Sequence, residues 1–338
     1  MKRTLAALVA LAGLAITVAG AAPLPLTIYF IDVEGGQATL IVTPDRQAML
    51  IDTGYGGDFG DRDPQRILAA AHDAGVSRLD VMLITHFHGD HDGGAPAVVR
   101  SLPVTTFVDY GAPVETAPGT VTSFQAYAEV RKSGAHVLAK VGERLPLSGV
   151  DVRVVSAGGT TLSSPIAGAG APNPACVNLD SAAEEANENP RSTGVVLTLG
   201  RFRFLDVGDL AGSSLARLAC PNDLIGRVDV YLVPHHGNDD ANVPAVIAAL
   251  QPRVALVNNG VTKGGTAGLM AALHRVPGVD VWQLHRSANN GVSNFADAVI
   301  ANVDDGKTAY WIKLTATADG AFTVMNGRTG VSRRYEAR

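Results

Sequence analysis

Apolar residues in this chain gather in short runs separated by Gly, Pro and Asp, which is the pattern of strands joined by tight connections. LTIYFID (26–32), ATLIVT (38–43) and AMLIDTG (48–54) are β-rich segments of this kind. DPQRILAAAHDAG then predicts a helix with Asp63 as cap, Pro64 at the first helical position and Gly75 as the stop. LDVMLI (79–84) is continuously apolar, the mark of a strand buried on both faces. A helix over Ala95–Ser101, the strand TTFVDY and a helix ending at Gly134 follow.

The second half repeats the alternation. VDVRVVS (150–156) reads as a strand, and GVVLTLG, FRFLDVGD, VDVYLVPHHG, PRVALVNNG and VDVWQLH are all strand-like, with helical stretches between several of them. TAYWIKLTATADGAFTVMNG predicts a hairpin turning near Asp319-Gly320. Between these runs, the stretch 157–190 is rich in Gly, Ala, Ser, Pro and Asn. It is too long for an ordinary connection and reads as an insertion, lid or flap. Strands alternating with helices predict one α/β domain with two mixed sheets and helices outside.

Composition narrows the partners. The chain has 338 residues, 46% hydrophobic and 17% charged, with a formal net charge of −5 and no basic run longer than two residues. Tight duplex nucleic-acid binding, which needs a basic stripe, is not expected. MKRTLAALVALAGLAITVAGAAP has the layout of a secretory signal: Lys2 and Arg3, the apolar stretch Leu5 to Val18, then Ala19-Gly20-Ala21 as cleavage site. A membrane anchor is the competing reading, but Leu5 to Ala22 is barely long enough to span a bilayer. The expectation is a signal peptide over 1–21 and a single mature domain over 22–338, periplasmic or secreted, with no other membrane contact. Cys176 and Cys220 suit an oxidising compartment and can form one disulfide; spacing alone leaves them paired or free.

The chemistry concentrates in THFHGDHDGG (85–94), directly after a buried strand, where three of the chain's nine histidines stand within six residues. Imidazole and carboxylate hold zinc and similar divalent ions. In an extended segment His86, His88 and Asp90 share one side, and His91, beyond the turn at Gly89, faces the same cavity from another angle. Such a cluster can serve two adjacent ions, His86 and His88 on one, Asp90 and His91 on the other. The competing reading, a polar loop with coincidental histidines, does not explain the placement after an apolar strand and before Gly93-Gly94.

THFHGDH resembles the H-x-H-x-D-H signature of the metallo-β-lactamase superfamily, hydrolases built as an αβ/βα sandwich. The resemblance spans about residues 26 to 290 and takes in Asp52 in LIDTG, Asp209 in FLDVGDL and VPHHG at 233–237. Within the superfamily it points toward the hydrolase domain of the DNA-uptake protein ComEC and the choline-binding phosphorylcholine esterases. It implies Asp209 as a bridge between two metals, His236 as a ligand of the second, and His235 as a neighbour facing substrate. The superfamily's third histidine for the first metal has no match; NENPRSTGVVL stands there, with Asn189 nearby. Gln37, in IDVEGGQA, stands where the ComEC-like group carries an aspartate.

Asp52 is expected to support the ligands from behind. Lys263, in NNGVTKGG, is either solvated or set to meet an anionic group. His285, ending the last core strand, either reaches the site or is a satisfied histidine near the surface. His72, His136 and His274 read as structural or exposed. There is no G-x-S-x-G elbow and no G-x-x-x-x-G-K-[ST] phosphate loop. The expected reaction is hydrolysis by metal-activated hydroxide, with two divalent ions (zinc, or manganese as the alternative), Asp90 orienting the hydroxide and His235 a candidate proton donor. The bond favoured is a phosphodiester in a small or single-stranded substrate. The alternatives are a lactonase or β-lactamase-like hydrolase and a non-catalytic metal-binding protein. If Lys263 faces the metals, phosphate is favoured; an apolar lid from 157–190 would favour lactone or lactam.

Overall fold

The computed structural model describes residues 23–176, 187–241, 243–304 and 309–338. The signal-like stretch 1–21 and residues 177–186 of the insertion lie outside the described residues.

Two mixed sheets face each other. The first runs through β1 (Leu26–Phe30), β2 (Thr39–Val42), β3 (Ala48–Ile51), β4 (Leu79–Leu83), β5 (Val104–Asp109) and β6 (Ala135–Leu138). The second holds β7 (Asp151–Ala157), β8 (Thr160–Thr161), β9 (Gly194–Leu199), β10 (Phe202–Asp206), β11 (Val230–Val233), β12 (Val254–Val257), β13 (Asp280–His285) and β14 (Ile300–Asn302). The chain then returns to the first sheet as β15 (Ile312–Ala316), β16 (Phe322–Asn326) and β17 (Ser332–Tyr335). The orders are β17-β16-β15-β1-β2-β3-β4-β5-β6 and β14-β13-β12-β11-β10-β9-β7-β8.

Strand alternation sorts the core. Ile28 and Phe30 of β1, Met49 and Ile51 of β3, and Val81 and Leu83 of β4 point inward. They meet Val195, Phe204, Leu232 and Leu256 of the second sheet. The alternate residues, Tyr29, Leu50 and Met82 among them, pack outward under helices α1 (Arg62–Asp73), α2 (Ala95–Ser101) and α3 (Pro118–Val130). Val207, Tyr231, Val233 and Val257 do the same beneath α4 (Gly212–Ala216), α5 (Pro244–Leu250) and α6 (Ala267–His274). Both faces of each central strand are therefore covered, which is why the sequence shows them as continuous apolar runs. Among the described residues no helix is long and apolar enough to cross a membrane.

Two expectations need correction. The first helix begins at Arg62 with Asp61 at its cap position, and Asp63 lies inside the first turn. There the Asp63 carboxylate accepts the Tyr55 amide at 2.8 Å and the Arg62 Nε at 2.6 Å, so it serves the neighbouring loop and not the helix end. The helix expected to run to Gly134 ends at Val130, and a 3-10 turn over Arg131–Ser133 carries the chain to that glycine.

β3, β4 and β5 are parallel, as are β10, β11, β12 and β13. Their carboxyl ends open on one edge of the sandwich, the place where α/β sheets present loops to ligands. Cys176 and Cys220 form a disulfide with Cα atoms 5.8 Å apart, tying the described part of the insertion to the segment after α4.

Candidate metal centre

Each candidate residue sits just past the end of a strand. Asp52 follows β3, residues 85–92 follow β4, Asp209 follows β10, and His235-His236 follow β11. The backbone is bent hard here: Asp52, His235 and His236 have φ of 59°, 50° and 54°, in the left-handed region that non-glycine residues avoid. Gly208 also has positive φ, and a Cβ on it would lie 2.8 Å from Thr85, so only glycine lets the two loops touch.

Four side chains converge. Asp90 Oδ2, His91 Nε2, Asp209 Oδ2 and His236 Nε2 all lie within 4.8 Å of one another, and all four residues are buried. His91 Nε2 is 3.3 Å from both carboxylate oxygens, and His236 Nε2 is 3.1 Å from Asp90 and 3.2 Å from Asp209. Behind His91, Asp52 Oδ2 meets Nδ1 at 2.7 Å, while Thr85 donates its amide and hydroxyl to Asp52, each at 2.7 Å. With its Nδ1–H given to Asp52, the ring in its neutral, metal-binding form turns an unprotonated Nε2 into the cluster.

A second group adjoins it. His86 Nε2 and His88 Nδ1 lie 3.1 Å apart, and His86 Nε2 is 3.8 Å from Asp209 Oδ2. The outer nitrogen of His88 meets Glu115 Oε1 at 3.1 Å. Ser192, in the segment NENPRSTGVVL, has its Oγ 3.5 Å from His86 Nδ1 and accepts the Asp209 amide at 3.2 Å.

Charge shows what the cluster lacks. Burial lowers the His91 pKa, yet Asp209, Asp90 and Asp52 outweigh it and hold the ring well above its ordinary range. Burial would raise Asp90 and Asp209; instead His91, His236 and Lys263 hold Asp90 well below the usual carboxylate range, and His236 and His91 do so for Asp209. Buried carboxylates thus draw positive charge into this space. Asp209 Oδ1 has no hydrogen-bond partner among the described residues. Imidazole nitrogens and carboxylate oxygens without thiolate are the donor set of zinc or manganese, so the residues fit a divalent ion held by Asp90, His91, Asp209 and His236. His86, His88 and Asp209 supply fewer donors for a neighbouring one.

The remaining candidates divide. Lys263 faces the cluster: its Nζ bonds Asp90 Oδ2 and donates to the Tyr55 hydroxyl at 3.0 Å. His235 lies at the rim, with Nδ1 on Asp240 at 2.9 Å and Nε2 3.9 Å from Asp209 Oδ2. Asn189 reaches His235 Nε2 at 3.2 Å and not the His86–His88 pair. His285 is held elsewhere. Its Nε2 lies 2.7 Å from Asp32 and 3.4 Å from Glu34, both of which also bind Arg66. β12 and its loop stand between β13 and the His236 loop, so His285 joins a separate buried network. Gln37 spans the sheets, donating to the Asp206 carboxylate at 3.1 Å.

Three contributors have no sequence signal. Glu115 is a loop residue. Glu188, fully buried, accepts the amides of Val114 and Glu115 and the hydroxyl of Tyr110. Tyr55 directly follows LIDTG, and nothing in that placement announces its contact with Lys263.

Residues 31–175 match the profile of the metallo-beta-lactamase superfamily. A stretch of 69 residues is 38% identical to an atrochrysone carboxyl ACP thioesterase of Aspergillus terreus, covering 20% of this chain and 20% of that protein. Among solved structures, the metallo-beta-lactamase fold protein YhfI from Bacillus subtilis aligns over 85% of this chain and 99% of its own, with 11% identity and a TM-score of 0.46. CmlA, a diiron β-hydroxylase from Streptomyces venezuelae, aligns over 71% of this chain and 46% of its own, with 13% identity and a TM-score of 0.42. This chain thus spans a fifth of that thioesterase and about half of CmlA. Residues 31–175, which carry the histidine segment, are similar to the metallo-β-lactamase superfamily, and the chain has that superfamily's two-sheet sandwich fold.

Proposed function

We propose that this chain is an exported hydrolase that uses two divalent metal ions, zinc or manganese, to cleave a phosphodiester in a small or single-stranded substrate. The observation that carries the choice of bond is Lys263, whose ammonium lies on Asp90 beside the Tyr55 hydroxyl. An ammonium at the edge of the cluster suits a phosphoryl oxygen, which is anionic before and during the reaction, whereas the carbonyl oxygen of a lactone or lactam gains charge only as the bond is attacked. The likeness to ComEC-like hydrolases noted in the GD…PHHG pattern points the same way.

Ions bound by His86, His88, Asp90, His91, Asp209 and His236 would supply Lewis acidity and a nucleophilic hydroxide near neutral pH. The protein's part is orientation and proton handling. Asp52 and Glu115 fix the rings of His91 and His88 from behind. Asp90 orients the attacking group, held in place by Lys263. Asp240 holds His235 through Nδ1, and against burial Asp240 and Asp209 together raise its pKa, so the doubly protonated ring carries on Nε2, beside Asn189, the proton for the departing oxygen. Export to the periplasm or beyond is supported by the signal-like N-terminus and by a disulfide, a bond that persists in oxidising compartments.

Acyl hydrolysis is the second reading, and the local likeness to a thioesterase favours it. The test is metal content together with turnover of bis(p-nitrophenyl) phosphate and a chromogenic cephalosporin, with zinc or manganese, in wild type and His88→Ala. Phosphodiester turnover lost in the variant is expected. Cephalosporin turnover alone moves the protein to the lactamases, bound metal with neither activity favours acyl substrates, and no bound metal favours a non-catalytic protein.

A further inference from the structure

Beyond Asp90 the cluster opens into a groove of about 760 Å³, walled on one side by the loop Tyr55–Asp61 and on the other by Pro96, Ala97, Pro118 and Gly119. The loop is built to lie close to the histidine segment. A Cβ on Gly56 would fall 1.9 Å from the carbonyl oxygen of Gly93, so a side chain there would push the loop away. On this loop Phe59 is 54% exposed, the only aromatic among the exposed large hydrophobic residues described. Its ring rests on Tyr55 with centroids 4.4 Å apart, and the Lys263 ammonium lies 5.2 Å from the Tyr55 ring. Ammonium, tyrosine and phenylalanine therefore form a continuous path leading away from Asp90 along the groove wall.

A single half-exposed phenylalanine is ordinary on a protein surface; Phe59, with the Arg62 guanidinium 5.7 Å from its ring, stands out because it ends a line of cationic and aromatic groups that starts at Asp90. On the opposite wall Pro96, Ala97, Pro118 and Gly119 leave room for a flat ring, and Arg100, Thr122 and Ser123 beside them offer side-chain hydrogen bonds to its polar edge. We infer that Tyr55 and Phe59 form a stacking platform for a nucleobase, so that the substrate is a nucleotide phosphodiester whose phosphate meets Lys263 while its base lies on Phe59. This inference rests on the phosphodiesterase reading and specifies its substrate class.

The experiment uses the metal-loaded protein with a thymidine dinucleotide and with its abasic counterpart, in wild type, Phe59→Ala and Phe59→Trp. Base stacking on an aromatic side chain typically changes affinity by roughly 5- to 100-fold. The ratio of kcat/KM for the base-bearing over the abasic substrate is expected to be at least about tenfold in wild type. It should fall toward one in Phe59→Ala and return in Phe59→Trp. Calorimetric affinities for thymidine 5′-phosphate and deoxyribose 5-phosphate give the same comparison without turnover. A ratio near one in wild type that Phe59→Ala does not move, with matching affinities, overturns the stacking platform and leaves the phosphodiesterase reading standing. Turnover of neither dinucleotide overturns that reading, and this inference falls with it.

Discussion

Asp52 Oδ2 lies 2.7 Å from His91 Nδ1, and both side chains are completely shielded from solvent. The pair fixes the tautomer and direction of the ring whose other nitrogen faces Asp90, Asp209 and His236. Removing such an outer partner typically lowers metal affinity about 10- to 100-fold. Asp52→Ala is therefore expected to bind zinc that much more weakly, measured by competition with a chromogenic chelator. Unchanged affinity would show that packing alone holds His91.

His88 is the most exposed of the clustered histidines, with 26% of its side chain accessible, and Glu115 is its outer partner. On the proposed two-ion site, His88→Ala should lower the bound metal from two ions to one per chain and abolish turnover, while the folding free energy stays within about 1 kcal/mol of wild type. Elemental analysis and chemical unfolding check the two halves separately. Glu115→Ala should weaken the same ion without removing it, because the histidine remains.

Lys263 separates the phosphodiester reading from the acyl one. Lys263→Met deletes the ammonium while keeping most of the stem that packs on Tyr55. It should lower kcat/KM on a phosphodiester by about 100-fold, the scale for losing one preorganised group opposite developing negative charge. Lys263→Arg should recover part of that loss. An equal, small loss on phosphodiester and neutral ester alike would make the lysine a scaffold for Asp90 only.

What the sequence made legible follows from locality. His86, His88, Asp90 and His91 fall in one short segment after one strand, and a turn closed by the His91 amide on the His88 carbonyl brings Asp90 and His91 round to the same place, so their convergence is local. Asp209 and His236 end strands that the apolar runs already mark. Glu115 and Glu188 could not be read this way: they come from irregular loops, and only tertiary packing brings Glu188 within reach of the Val114 and Glu115 amides. His285 showed the reverse difficulty. It does end a core strand, but its partners Asp32 and Glu34 lie some 250 residues away, at the end of β1, which the linear order does not suggest. β17 (Ser332–Tyr335) escaped because an edge strand with three exposed residues out of four shows no apolar alternation.

Asp206 gives a prediction about stability that does not depend on turnover. It is fully buried under the cluster, and that burial pushes its carboxyl up to about 7, with Gly208 and Gln37 only partly opposing. A carboxyl raised in the fold contributes no penalty below its unfolded pKa, near 4, and costs stability as pH rises from there through about 7. Each unit of that interval is worth at most about 1.4 kcal/mol, so the ceiling is about 4 kcal/mol at pH 8. Asp206→Asn carries no charge at any pH. Its amide can be accommodated if Gln37 and Asn258 both turn over. Asn258 Nδ2 now donates to Gln37 Oε1 at 3.3 Å, and Asn258 Oδ1 has no partner among the described residues. In metal-free protein, Asp206→Asn should match or fall slightly below wild type at pH 4 and exceed it increasingly between pH 5 and 8, by urea unfolding. A difference that does not change with pH would mean that Asp206 is ionised throughout and that the Gln37 amide is sufficient to stabilise its charge.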